Sequence, residues 1–303
     1  PVFIIVGIGC LCRITKLVTE SNERAIMGLV LNLLYPCFIL SKICGNVALK
    51  ELPTVAGGLA VGVTTTLIGL AVAYFAARLF GIQSGPTRNS FTLSAAIQNY
   101  GFIPIPLIAG IFPKTIADET LGVMFIYILG LELVLWTVGV SIVSGSRKGA
   151  IRRLINGPSI AIVAGLFLNF TQAYQWIPLP AEKAMEQLGL CSVPVSLLLV
   201  GVSLAGVMLQ GNWLSCWRIP TAALLVRFAV MPILFLAAAS ILSYSKPLML
   251  VLIVEASMPA AIFPIVIAKH FGGKPAVAVQ VTVFTSLACL VLTPAILSLA
   301  FAL

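Results

Sequence analysis

The stretch NYGFIPIP at residues 99–106 and the stretch EASMPAAIFP at residues 255–264 each place two prolines in the middle of a long apolar segment. A proline lacks a backbone N–H and clashes with the preceding turn, so each stretch should interrupt a helix. At the depth of a bilayer centre, an interrupted backbone is tolerated only where it is buried in protein or lines a cavity. The two stretches therefore predict two broken helices that cross inside a membrane protein.

The composition around these stretches is that of a polytopic membrane protein. Of the 303 residues, 60% are apolar and 9% are charged, and the mean hydropathy is +1.12. A soluble chain of this length needs many more charges to cover its surface. Runs near the roughly 20 apolar residues that cross a bilayer recur almost end to end. They predict an all-α protein with ten transmembrane helices, at residues 1–12, 24–44, 56–80, 88–112, 119–143, 158–177, 184–209, 219–243, 247–269 and 275–302.

The net charge of +9 does not indicate a nucleic-acid partner, because the basic residues lie between apolar segments and are shared unevenly. The loops after segments one, three, five, seven and nine hold twelve lysines and arginines, and the other loops hold five. The positive-inside rule then places the first set of loops in the cytoplasm and both termini outside the cell membrane. The five residues of the second set are Lys42, Lys50, Lys114, Lys183 and Lys246.

An internal repeat organises the segments. Three landmarks recur with a separation of 158 residues, and they are Gly7 with Gly165, Pro36 with Pro194, and Pro106 with Pro264. A repeat of five segments is odd, so its second copy enters the membrane from the opposite side. The predicted domains are a first repeat at residues 1–143, a cytoplasmic linker at 144–157 and an inverted repeat at 158–303. Inverted repeats are typical of alternating-access carriers that bind substrate near the membrane midplane.

The candidate site is the crossing of the two broken helices. The later half-helices should begin near Pro106 and Pro264, where their N-terminal ends bring partial positive charge to an anion. The opposing C-terminal ends present carbonyl groups that suit a cation. Amide side chains at the first interruption can donate hydrogen bonds to a carboxylate. The predicted substrate-binding residues are Gln98, Asn99, Tyr100, Pro104, Pro106, Ser257, Met258, Pro259 and Pro264.

Glu255 is the candidate ion-coupling residue, since an ionisable side chain deep in a membrane segment is costly and indicates function. Its carboxylate is expected to hold a sodium ion or to carry a proton, and the alternative is a structural, protonated side chain. Glu132 and Arg227 are interpreted as structural partners, unless Arg227 extends towards the cytoplasm. No further cofactor is predicted, because the only histidine, His270, has no cluster of metal ligands around it.

Four motifs, in order along nearly the whole chain, resemble those of the auxin efflux carrier family of bacterial permeases and plant auxin exporters. They are residues 99–106; Asn156-Gly157-Pro158-Ser159 with Gly165; Pro194 with Gly201-Val202-Ser203-Leu204; and Met258-Pro259-Ala260 with residues 268–272. The resemblance implies transport of organic acids, either auxin or malate-like and malonate-like dicarboxylates. It also implies a scaffold domain of helices 1, 2, 6 and 7, a crossover domain of helices 3–5 and 8–10, and a homodimer in the lipid bilayer.

The chain departs from the family pattern at two positions. Pro104 stands where glycine is usual, and Glu255 stands where many members are uncharged. That acid resembles the sodium-coordinating glutamate of the bile acid:sodium symporters, which share the ten-helix architecture. The family's crossover asparagine role carries over only to Asn99.

Three other functions compete with an organic-anion carrier. A sodium-coupled symporter of the bile acid type is the nearest, and a channel or sensor on the same fold is the next. A proton/sodium antiporter is disfavoured because the only aspartate, Asp118, is expected in a loop. An enzyme is not predicted, since the chain has neither a GxSxG nor an HExxH motif.

Overall fold

The computed structural model describes residues 2–146, 155–209, 216–241 and 245–302. Most of the basic linker, including Arg147, Lys148, Arg152 and Arg153, lies outside these residues. The described parts of the chain are helical and contain no strand. The helices are α1 (Val2–Ile14), α2 (Glu20–Ile43), α3 (Leu52–Leu79), α4a (Pro86–Ala96), α4b (Pro104–Ile111), α5 (Lys114–Ser144), α6 (Gly157–Phe170), α7 (Leu179–Leu209), α8 (218–241), α9a (Lys246–Ala256), α9b (Phe263–His270) and α10 (Pro275–Ala302).

Helix length and composition give a multi-pass membrane protein. Six helices, α2, α3, α5, α7, α8 and α10, are long and apolar enough to cross a bilayer. α1 and α6 are shorter apolar helices. The fourth and ninth predicted segments are each divided into two helices of 8 to 11 residues, at the stretches that carry the paired prolines.

Two local predictions are wrong. The segment predicted at 158–177 ends as a helix at Phe170, because Gln172 takes a left-handed φ of 59° and a 3-10 turn follows at Ala173–Trp176. Asp118 was expected in a loop just before the segment predicted at 119–143, yet it lies in the first turns of α5, which begins at Lys114. Lys42 lies in the last turn of α2, within the segment predicted at 24–44. The Lys42 ammonium and the Asp118 carboxylate form an ion pair at 2.7 Å.

The helices pack in two bundles. One contains α1, α2, α6 and α7, and the other contains α3, α4a, α5, α8, α9a and α10. Glycines allow the closest approaches within each bundle. A side chain at Gly201 of α7 would overlap the Val6 carbonyl of α1, and a side chain at Gly62 of α3 would overlap the Tyr127 carbonyl of α5. The bundles contact each other mainly through α2 and α6 against α5, and through α7 against α4b and α10.

Candidate functional site

The interruption between α4a and α4b lies against the interruption between α9a and α9b. The Asn99 backbone N–H donates to the Pro259 carbonyl at 2.7 Å, and the Ala261 N–H donates to the Ile97 carbonyl at 2.9 Å. These two bonds form an isolated antiparallel bridge that pairs Gln98 with Ala260. Each interruption thus supplies hydrogen-bond partners for backbone groups of the other, as buried non-helical backbone requires.

Hydroxyl groups of α10 bond further backbone groups of the second interruption. Thr293 donates to the Ser257 carbonyl at 2.6 Å, and Thr282 donates to the Ala261 carbonyl at 3.0 Å. The Ala260 N–H donates to the Thr285 hydroxyl at 3.1 Å. Pro259 has no backbone N–H and therefore needs no hydrogen-bond acceptor. The extended backbone at this depth is therefore fixed by specific partners.

The half-helix starts differ by a few residues from their predicted positions. α4b begins at Pro104, two residues before Pro106, because a proline fits the first position of a helix where its missing N–H costs nothing. α9b begins at Phe263, with Pro264 as its second residue. Pro104, Pro106 and Pro264 thus lie in the first turns of the half-helices, where the fixed φ of proline fits a helix.

A cavity of about 480 Å³ lies beside the crossing. Its wall is formed by α2, α5, the start of α6, the first interruption with α4b, and the second interruption with α9b. Much of this wall is apolar, including Ile39, Phe125, Ile128, Ile162 and Phe263. The polar side chains are fewer, and they include Asn32, Tyr35, Asn99, Tyr100, Glu132 and Asn156.

The structure brings only part of the predicted site to this cavity. Asn99 and Tyr100 line it, and the Asn99 side-chain oxygen accepts a bond from the Ile103 N–H at 3.3 Å, one residue before α4b. Gln98 does not line it and donates instead to the Tyr127 hydroxyl at 2.6 Å. The other predicted residues, Pro104, Pro106, Ser257, Met258, Pro259 and Pro264, also lie outside the cavity wall, as does Glu255.

Two cavity residues that the sequence did not single out carry buried donors without an acceptor. The Trp136 indole N–H and the Tyr35 hydroxyl have no hydrogen-bond partner within the described chain. Ser196 is a polar neighbour of the Tyr35 hydroxyl but lies beyond bonding geometry. An unpaired buried donor costs about 1–3 kcal/mol, so both side chains favour a ligand that brings an acceptor.

Glu132 joins the two bundles at the cavity wall. Its carboxylate, on α5, accepts bonds from the Ser159 hydroxyl at 2.9 Å and from the Asn156 amide at 3.3 Å. Asn156 caps the N-terminus of α6 by accepting from the Ser159 N–H at 2.8 Å. The carboxyl group therefore sits at the N-terminal end of α6, whose partial positive charge faces it. The predicted pairing of Glu132 with Arg227 is wrong.

Three wide π turns interrupt otherwise regular helices at this site. They span Val30–Leu34 in α2, Leu135–Gly139 in α5 and Val226–Val230 in α8. They contain Asn32, Trp136 and Arg227, respectively. Such turns often occur at functional sites, since they re-aim a side chain without ending the helix.

Arg227 lies behind the crossing and is fully buried, so the alternative that it extends towards the cytoplasm is wrong. Its guanidinium donates to the Met258 carbonyl at 3.0 and 3.3 Å and to the Ala96 carbonyl at 3.4 Å. Ala96 is the last residue of α4a, and Met258 follows the end of α9a. A side-chain cation thus bonds to the carbonyls of both C-terminal half-helix ends.

Glu255, in the last turn of α9a, is also fully buried. Neither of its carboxylate oxygens has a hydrogen-bond donor in the described part of the chain. Its strongest polar neighbours are the Gln98 amide and the Arg227 guanidinium, which interacts with it through space and not by direct contact. Glu255 and Arg227 are thus two fully buried ionisable side chains at the crossing.

Comparison with known proteins identifies the family of this chain. A family model described as membrane transport protein matches residues 1–153 and 141–297. An uncharacterized transporter of Methanothermobacter thermautotrophicus is 27% identical over 281 residues, which cover 88% of this chain and 85% of the relative. An uncharacterized transporter of Methanocaldococcus jannaschii is 22% identical over 279 residues, covering 88% and 86%. Because the family model matches nearly the whole chain, this protein belongs to the membrane transport protein family, the auxin efflux carrier family that its crossover motifs resemble.

Proposed function

We propose that this protein is a secondary transporter that moves a small organic acid anion by alternating access, with the carboxylate bound in the cavity beside the crossing. The observation that carries this proposal is the meeting of two helix N-termini and Asn99 at one cavity. Residues at the start of α4b and of α9b line the cavity together with Asn99. Helix N-termini carry partial positive charge and favour an anion, and an amide adds a directed donor.

The cavity favours a monocarboxylate with an apolar body. Its volume of about 480 Å³ falls in the range of roughly 300–1,000 Å³ typical of ligand pockets. Phe125, Trp136 and Phe263 offer ring surfaces to such a body. No lysine or arginine of the described chain lines the cavity, and Glu132 would repel a second carboxylate. An auxin-like aromatic acid therefore fits better than a malonate-like dicarboxylate.

The arrangement of the bundles supports alternating access. In this proposal, the bundle of α1, α2, α6 and α7 is the scaffold, and the other bundle carries the crossing. The cavity reaches Asn156 and the exposed His270, at helix ends that the basic-loop pattern assigns to the cytoplasm. The Lys42–Asp118 ion pair joins the bundles at the opposite end. The structure then corresponds to a state open towards the cytoplasm.

Purified protein and proteoliposomes test the proposal. Indole-3-acetate should raise the thermal unfolding midpoint, while its neutral amide of the same size should not, because the amide lacks the charge that the helix ends favour. Counterflow should exchange labelled indole-3-acetate across the membrane. Stabilisation by malonate alone would move the substrate class to dicarboxylates. If no carboxylate either stabilises the protein or exchanges, the proposed function is wrong.

A further inference from the structure

We propose that Arg227 is a built-in counter-cation for Glu255 that bonds the carbonyls a coupling sodium ion would need, so that substrate binding and transport do not depend on sodium. Sodium-independent transport rests on the proposed function, whereas the contacts of Arg227 with the two carbonyls do not depend on any substrate.

The first step is the identity of the cation ligands. In transporters with broken helices, unwound carbonyls and half-helix C-terminal ends coordinate the coupling cation. The corresponding groups here are the carbonyls of Ala96 and Met258, with the Glu255 carboxylate nearby. Arg227 donates to both carbonyls, with three bonds of 3.0 to 3.4 Å. A guanidinium has five donors in a fixed planar fork, so one side chain serves both half-helix ends.

The second step is the balance of charge. Arg227 and Glu255 are both fully buried, and each interacts with the other through space. A sodium ion at the carbonyls of Ala96 and Met258 would have to displace the Arg227 guanidinium from its three hydrogen bonds, or would add a second buried positive charge beside it. The guanidinium therefore opposes a sodium ion at this position.

The third step is the position of Arg227 in its own helix. Arg227 lies in the π turn Val226–Val230, which ends two residues before Pro232. Pro232 cannot donate to the carbonyl four residues earlier, so the helix widens there. The backbone of α8 thus holds the guanidinium at the crossing, away from either membrane surface.

Thermal unfolding without any carboxylate tests the inference, in sodium chloride and in choline chloride of equal ionic strength. The wild-type midpoint should be the same in both salts. Arg227→Ala leaves Glu255 and both carbonyls free for an added cation, so its lower midpoint should rise with the logarithm of sodium concentration. Arg227→Ala combined with Glu255→Gln should recover part of the lost midpoint and should not respond to sodium. Arg227→Lys keeps the charge, and it should remain indifferent to sodium.

Two results would overturn the inference. One is a wild-type midpoint that rises saturably with sodium and loses this rise in Glu255→Gln. The other is a folded Arg227→Ala that ignores sodium. If Arg227→Ala does not fold, the double variant decides, since a neutral pair should fold where the single charge cannot. A double variant no more stable than Arg227→Ala would also contradict the pairing. These unfolding measurements contain no carboxylate. A protein that binds no carboxylate would contradict the proposed function but would leave this test unchanged.

Discussion

Asp118 and Glu132 lie on the same helix, about 21 Å apart at 1.5 Å per residue, and each bonds a helix of the other bundle. Asp118 pairs with Lys42 of α2, and Glu132 accepts from Ser159 of α6. Both links are formed in this structure, so α5 has a polar contact with the other bundle at two levels along its length.

The first prediction is that Asp118→Asn favours the state open on the Lys42 side. Lys42 is only 9% exposed, so losing its carboxylate disfavours the arrangement that buries it. A single cysteine at Ile39, a buried residue of the cavity wall, should be modified faster by an impermeant reagent added from that side. Glu186→Gln is the matched control, because the Lys114–Glu186 pair is exposed and 4.0 Å long. Equal effects of the two variants would show that the Lys42–Asp118 ion pair does not favour one state over the other.

The second prediction is an energetic coupling between Glu132 and Ser159. Glu132→Gln and Ser159→Ala should each lower stability, and the double variant should lose less than their sum by about 0.5–3 kcal/mol, the range for residues in one hydrogen-bond network. Denaturant unfolding of the four proteins measures this term. The pair Glu132→Gln and Thr171→Ala should be additive, because the Thr171 hydroxyl bonds two carbonyls of α6 and the Ala173 N–H just after it, and none of these contacts Glu132. Additivity at Ser159 would contradict the link.

The interruptions were predictable from sequence because proline acts on its own backbone, whatever the fold. Gln98 and Asn99 show where that reasoning stops. They are neighbours of similar chemistry in an extended stretch, where successive side chains point to opposite sides. One therefore lines the cavity and the other bonds Tyr127. The register of the bridge between Gln98 and Ala260 decides which of the two side chains faces the cavity. That register depends on a partner more than 150 residues away in the sequence.

Arg227 shows the same limit for charges. Its place within an apolar segment was visible, but its hydrogen-bond partners are two backbone carbonyls from other parts of the fold, which no pattern of charged residues predicts. Trp136 and Tyr35 gave no signal at all, since an unpaired donor is a property of packing. The π turns that hold Trp136 and Arg227 also depend on this context.

A third prediction concerns Asn99, the cavity residue whose side-chain oxygen accepts from the Ile103 N–H just before α4b. Asn99→Ala should weaken binding of indole-3-acetate about tenfold or more, because a hydrogen bond to a charged group contributes about 1.5–3 kcal/mol. Isothermal titration measures the affinity. Asn22→Ala, at an exposed position near the start of α2, is the control and should bind normally. Unchanged affinity in Asn99→Ala would leave Asn99 with only its structural hydrogen bonds to Pro259 and Ile103.

A fourth prediction concerns orientation and follows from the twelve basic residues in one set of loops against five in the other. Ser146 lies just after α5, at the start of the basic linker. A single cysteine at Ser146 in otherwise cysteine-free protein should react with an impermeant maleimide only after the cells are opened. A cysteine at Lys50, between α2 and α3, is the control and should react in intact cells. Reaction of the Ser146 position in intact cells would reverse the orientation, and with it the side to which the cavity opens.

The last prediction separates a ligand-binding donor from a structural one at Trp136. Trp136→Phe keeps a ring in the wall and removes the indole N–H, which has no acceptor in the described chain. A donor that serves only the fold would be paired, and its removal would lower stability. An unpaired buried donor costs free energy in the unliganded protein, so its removal should leave stability unchanged or raise it. The same donor should contribute when a carboxylate arrives, so affinity for indole-3-acetate should fall. Trp136→Phe should therefore move stability and affinity in opposite directions, and Tyr35→Phe should do the same. Trp176→Phe is the control, because that indole is 85% exposed and distant from the cavity wall, and it should change neither quantity. A Trp136→Phe variant that is less stable yet binds normally would place the N–H in the fold and remove it from the site.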